Sequence, residues 1–256
     1  MHANRPEPGL AFYEAHDAQF VPTDINVSPW NSQGLNGVAL AGLAAHVLGT
    51  VPSPADMHTA RLTIDILGLV PRVPLEARVR VVREGRRVQL VEVDIEAQGR
   101  VWVRATALRS RIAPSPLAAL PLSRPLPDPA LARGVVPWVS MHRLEGSFAH
   151  PGPGAQWVHV HTDVVTGHAL TPLERVAMVA DFGSSTAPLV SPREWTFANL
   201  DISAHLTRLP QGEWILLDTT STSSANGIGV VNTQMGDVAG MFGHAHQTVF
   251  LDPRPV

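Results

Sequence analysis

Apolar and polar positions along the chain fall into two blocks with the same order of elements. In the first, Leu40, Leu43, Ala44 and Val47 recur at helical spacing, which predicts a helix capped at Asn31 or Ser32, running to about Leu48 and closed by Gly49. Strand-like runs follow at about 59–70, 75–83, 86–97 and 100–110. Ala77, Val79 and Val81 alternate with Arg78 and Arg80, the pattern of a half-buried antiparallel strand, and Arg83-Glu84-Gly85-Arg86 suits a hairpin turn. The second block opens with strands at about 141–148 and 155–163. A helix over 172–182 starts at Thr171-Pro172-Leu173-Glu174, which offers an N-cap, a proline at the first helical position and a capping-box glutamate. Leu173, Val176, Ala177 and Ala180 form its apolar stripe and Gly183 ends it. Further strands are expected at about 195–207, 213–223, 227–235 and 240–251.

Between the blocks, residues 112–137 hold seven prolines in 26 positions and read as an extended linker. The expected organisation is a first domain at 1–111, a Pro-rich linker at 112–137 and a second domain at 138–256. A shift of 136 residues lays 62–74 over 198–210, with Asp65 on Asp201 and Arg72 on Arg208. Together with the shared element order this predicts two copies of one α+β fold, each a helix against a curled antiparallel sheet. Helices are too few for βαβ units.

Composition removes much chemistry. The 256 residues are 45% hydrophobic and 16% charged, which suits one or two packed domains and not a disordered chain. A net charge of −3 offers no basic field for nucleic acid or anionic lipid, so neither is expected as a partner. There is no cysteine, hence no disulfide, thiolate metal site or cysteine nucleophile. There is also no lysine: all 19 basic residues are arginine, which excludes Schiff-base and P-loop chemistry. The N-terminal MHANRPEPGLAFYEAHDAQF lacks the apolar core of an export signal. The longest apolar run, from Gly37 to Gly49, contains His46 and is too short to span a bilayer, so a cytoplasmic location is expected.

Candidate chemistry lies where the copies differ. At Asp181, Asn199 and Gln247 the second copy carries polar groups, and the chosen shifts place Ala45, Thr63 and Ala107 opposite them. Singly, each has a plainer reading: an exposed acid at a frayed helix end, a local cap at a strand start, a solvated strand glutamine. As a set they equip one copy only. His159/His161 and His244/His246 each share a strand face, but a third ligand is not evident and no metal is expected. No Gly-x-Ser-x-Gly occurs, and the Thr219–Ser224 run before Asn226-Gly227 reads as a polar hairpin instead of a nucleophile site.

Three segments, 170–185, 197–227 and 243–254, resemble the C-terminal half of the double-hotdog acyl-CoA thioesterases of the thioesterase II type, and 28–43 is similar to the helix start of their N-terminal hotdog. Where relatives often show His-Gly-Gly, this chain reads Leu35-Asn36-Gly37. The resemblance implies two fused hotdog domains packed as a pseudo-dimer. It also implies hydrolysis of an acyl-CoA or related thioester, with Asp181 as base or water orienter and Asn199 and Gln247 positioning the water. Such chemistry needs a carboxylate within hydrogen-bond reach of a held water and backbone N–H groups for the oxyanion, and calls for no cofactor. The expected partner is an acyl-CoA-like small molecule, and family habit suggests a homodimer or higher homo-oligomer. The rival readings are a non-catalytic acyl-thioester-binding hotdog protein and a hotdog hydratase or dehydratase. The latter would want an Asp/His pair, for which the sequence places no good histidine.

Overall fold

The computed structural model describes residues 10–254. The first nine residues, part of the stretch read above for an export signal, and the last two lie outside that range.

The chain opens with a hairpin that the pattern of residues does not announce, β1 (Ala11–His16) and β2 (Gln19–Pro22), turned by Asp17 at a φ of 52°. The first helix, α1 (Gly37–Thr50), starts four or five residues later than expected, capped by Asn36 and not by Asn31 or Ser32: Asn36 accepts from the Val38 N–H and is itself held by Asn26. Strands β3 (Met57–Ile66), β4 (Leu75–Arg83), β5 (Val88–Ala97) and β6 (Arg100–Arg111) follow close to their expected places. In the expected linker, residues 112–132 run over the second half, where Trp157 donates to the Pro125 carbonyl and Arg124 pairs with Asp218 and Glu145. Its last residues form β7 (Arg133–Val136), an edge strand made in a stretch free of proline.

The second half contains β8 (Val139–Glu145), β9 (Gly154–Val160), β10 (Asp163–Val165) and α2 (Pro172–Ala180), whose capping box between Thr171 and Glu174 is present as expected. Gly183 does not end the helical segment. It begins a short second helix, α3 (Gly183–Thr186). The single strand expected at 195–207 is two, β11 (Trp195–Asn199) and β12 (Asp201–Leu206), broken where Leu200 exchanges bonds with Thr248 and Ile66. Strands β13 (Trp214–Ser223), β14 (Ile228–Asp237) and β15 (Gly240–Pro253) complete the chain.

All fifteen strands join one sheet whose halves meet where β3 pairs antiparallel with β12, Thr63 opposite Ser203. The sheet curls around α1 and α2, which lie side by side. That position buries α1 on nearly every face from Val38 to Leu48, not only along the expected stripe. The one partly accessible residue in that span is His46, which reaches Glu174 at the start of α2. The first helix therefore runs with its N-terminus toward the end of α2, and its C-terminal turns toward the start of α2.

Candidate active site

The last turn of α2 leaves backbone carbonyls without helical partners, and two side-chain amides meet them. Asn199, at the end of β11, donates from Nδ2 to the Asp181 carbonyl at 3.0 Å and to the Asp181 carboxylate Oδ1 at 2.8 Å. Gln247, on β15, donates from Nε2 to the same carbonyl at 3.1 Å. The three residues singled out in the sequence thus form one cluster. Gln247 reaches the backbone of Asp181 and not its carboxylate. The partner oxygens of both amides, Asn199 Oδ1 and Gln247 Oε1, are buried and have no hydrogen-bond partner among the described residues.

Asp181 is no frayed helix end. It caps α2 with part of its surface still accessible, and burial pushes its carboxyl up to about 6, against the pull of the Asn199 hydrogen bond. Its carboxylate faces the start of α1. A Cβ at Gly37 would lie 2.9 Å from Oδ1 and 3.2 Å from Oδ2, so only glycine leaves room there. A Cβ at Gly183 would run into Gln247 Oε1, so that glycine lets α3 sit against β15. The N–H of Gly37 belongs to the first turn and lacks an intrahelical acceptor. Sequence reasoning missed the role of Asn36-Gly37. The signal is present, an asparagine directly before a long apolar run, but the expected caps lie four or five residues earlier.

The second copy of this arrangement, at the other end of the helix pair, differs from the sequence-based alignment. Asp181 stands ten residues after its N-cap Thr171, and ten residues after the N-cap Asn36 stands His46, not Ala45. Asn199 pairs with Val249 and Thr59 pairs with Arg109, each partner nine residues beyond the first residue of its strand. Thr59 is therefore opposite Asn199. Thr63, the expected counterpart, bonds Thr106 instead. Gln247 and Ala107 do correspond by the same count. Helix and strand follow different shifts because the segment between them, which includes α3, is longer in the second half. Asp65 and Asp201, superposed by the shift of 136, are in fact neighbours across the seam.

The histidine pairs lie elsewhere. His159 and His161 have ring centroids 4.2 Å apart, with His161 Nε2 2.7 Å from Ser140 Oγ, and burial pushes His159 down to about 4. His244 and His246 are exposed on the outer face of β15, with Gln247 on the inner one. Among the described residues no group of three or more His, Asp or Glu could hold a metal ion. The Thr219–Ser224 run does end β13 at a hairpin with β14.

The profile of the acyl-CoA thioesterase C-terminal domain matches residues 120–251, more than half the chain, and that of the N-terminal domain of the same family matches 26–110. The chain belongs to the acyl-CoA thioesterase family. As such the enzyme is a thioester hydrolase. No curated protein matches its sequence. Among solved structures, a thioesterase II candidate from Thermobifida fusca superposes with a TM-score of 0.74 at 19% identity, covering 96% of this chain and 99% of that one. A protein of unknown function with hot dog fold from Alicyclobacillus acidocaldarius gives 0.70 at 16% identity, covering 95% and 96%. An acyl-CoA thioesterase II from Mycobacterium marinum gives 0.68 at 15%, covering 96% of each chain. At such identities the likeness is one of fold, and the fold of the enzyme is the double hotdog. No helix among the described residues is long and apolar enough to cross a membrane.

Proposed function

We propose that the enzyme hydrolyses acyl-CoA or related acyl thioesters with a water held at the end of α2, Asp181 acting as general base. The observation that carries this reading is the cluster around Asp181: the Asn199 and Gln247 amides both donate to it, and their oxygens, Asn199 Oδ1 and Gln247 Oε1, are buried acceptors without partners among the described residues. A water is the small donor that suits such acceptors. With their N–H groups spent on Asp181, the amides present only acceptor oxygens: one proton of the water goes to an amide oxygen, which leaves the other directed at the Asp181 carboxylate. Asp181 removes a proton as the water oxygen attacks the thioester carbon. The C–S bond then breaks, and the thiolate leaves to take up a proton. The developing oxyanion would meet the N–H of Gly37, at the positive end of α1. Asn199 and Gln247 act as positioning residues, and no cofactor enters any step.

In this reading residues 1–111 and 138–256 are the two hotdog domains and 112–137 their linker. The first supplies the helix N-terminus and the second the base. The partner is a small acyl thioester, neither nucleic acid nor membrane. A cytoplasmic setting and a homo-oligomer of the fused unit fit the reading. The test is thiol release from a panel of acyl-CoAs, short, long and aromatic, by wild type beside Asp181→Asn. Turnover that collapses in the folded variant supports the proposal. Undiminished turnover overturns the role of Asp181, and no release from any substrate by the folded wild type leaves an acyl-binding protein instead.

A further inference from the structure

Side chains continue outward from the water site along β11 in a definite order. Phe197 shares the inner face of the strand with Asn199, two residues away, and is 2% exposed. Its ring meets Trp30, centroids 4.7 Å apart, on the loop that leads into Asn36-Gly37. Phe148, 45% exposed, stands 6.1 Å from Phe197 on another side. Beyond Trp30 comes Arg254, its guanidinium carbon 5.6 Å from the indole centre. Arg254 is tied down by Nε to the Pro192 carbonyl and by its own N–H to the Glu194 carbonyl, and Pro192 precedes the exposed Arg193. Among the described residues no carboxylate lies within ion-pair distance of Arg254. At strand rise, the four residues from Asn199 back to Trp195, beside Arg254, span about 13 Å.

We propose that this row takes the phosphopantetheine arm of the substrate's carrier, with Trp30, backed by the buried Phe197, along the arm and Arg254 at its phosphate end. The inference rests on hydrolysis at Asp181, which fixes where the thioester sits. A row of side chains that is apolar near the reacting carbon and ends in a guanidinium with no carboxylate partner among the described residues matches an arm with an anionic end. A buried acyl chain would have no use for the guanidinium. Arginine suits a phosphate because its planar fork offers two parallel N–H donors. Phosphate at that end is common to CoA, which adds a nucleotide, and to phosphopantetheine on a carrier protein.

The experiment compares one acyl group on CoA, on a carrier protein and on N-acetylcysteamine, which has no phosphate. Each is followed as thiol release by wild type, Arg254→Gln and Arg254→Lys. Arg254→Gln is expected to raise KM for acyl-CoA about tenfold with kcat unchanged. The N-acetylcysteamine ester stays as in wild type, and Arg254→Lys recovers most of the loss. A parallel loss on the carrier-protein ester assigns Arg254 to the pantetheine phosphate, and a loss confined to CoA assigns it to the nucleotide end. In wild type alone, added salt should raise KM for acyl-CoA but not for the N-acetylcysteamine ester. Equal effects on both esters, or no KM change and no salt effect, overturn the proposal. Failure of the hydrolysis reading is distinct: wild type would then release thiol from neither.

Discussion

The two ends of the helix pair solve one structural problem with different chemistry. At each, a helix finishes inside the protein with carbonyls that need donors. At the end of α1 the donor is Arg109, whose guanidinium serves the Leu48 and Val51 carbonyls and is steadied by Gln89. At the end of α2 the donors are the amides of Asn199 and Gln247. A guanidinium has donors only, whereas each amide also brings an acceptor oxygen. Capping α2 with amides therefore leaves two buried acceptors beside Asp181, and capping α1 with arginine leaves none. The facing helix starts differ in the same sense. Opposite Asp181 stands Gly37, with an N–H and no side chain. Opposite His46 stands the start of α2, where Pro172 has no N–H and the Glu174 carboxylate takes both the Thr171 N–H and His46 Nδ1, each at 2.6 Å. One end presents unpartnered acceptors beside a carboxylate; the other is closed by the hydrogen bond between His46 and Glu174.

The largest effect that tests this contrast is on turnover. Asp181→Asn should lower kcat by about 10³-fold, the range of a lost general base. With the carboxyl raised to about 6, wild-type kcat/KM should fall as pH drops below about 6 and level off above it, because only the ionised form accepts the proton. The variant should lack that limb. Gly37→Ala should cost on the order of 10²-fold, since its Cβ would displace the carboxylate it faces. Gly49→Ala, at the other end of the same helix with open space around it, should leave turnover unchanged. Equal losses at both glycines would show the helix, not its facing carboxylate, to be at issue.

The sequence made one end of the pair legible and the other only partly so. Asp181, Asn199 and Gln247 stand out in the sequence because constant shifts set Ala45, Thr63 and Ala107 opposite them, although in the structure their counterparts are His46, Thr59 and Ala107; the resemblance names their roles. Capping grammar places α2 to within a residue or two because Thr171, Pro172 and Glu174 all agree. It fails for α1, where Asn31, Ser32 and Asn36 are all able caps and only packing against Asn26 and the sheet selects the last. The counterpart of Asp181 was missed by one residue and that of Asn199 by four, since α3 lengthens one half and breaks any constant shift. The contact of His46 with Glu174 is invisible in the sequence for a simple reason: the two are 128 positions apart in the chain.

His46→Ala should separate structure from chemistry. Burial pushes Glu174 up, but His46 and the Thr171 N–H outweigh it and hold the carboxyl below its ordinary value. Removing His46 strands a carboxylate that is 3% accessible, and should cost about 3 kcal/mol of stability by denaturant melt. Turnover at a temperature where the variant stays folded should match wild type. A loss of activity as large as that of Asp181→Asn would mean that both ends take part in catalysis.

The smallest expected effect runs the other way, and its sign follows from proton linkage. Asp181 moves from 3.8 unfolded to about 6 folded, so the folded state holds the proton more tightly. Its contribution to stability is then greatest below about pH 4, declines as pH rises toward 6 and stays low above, a difference of about 2–3 kcal/mol. Asparagine carries no such charge. Asp181→Asn should therefore be more stable than wild type at pH 7, with Tm raised by roughly 5 °C, and the gain should shrink to nothing near pH 4. Glu174 responds oppositely, because its shift is downward: the stability it draws from His46 is present above the ordinary glutamate range and lost as pH falls. Acidification thus relieves one end of the helix pair and loosens the other. A Tm for Asp181→Asn at or below wild type at pH 7 would mean that the carboxylate is not held at a cost, and with that the case for a base tuned by burial would fall.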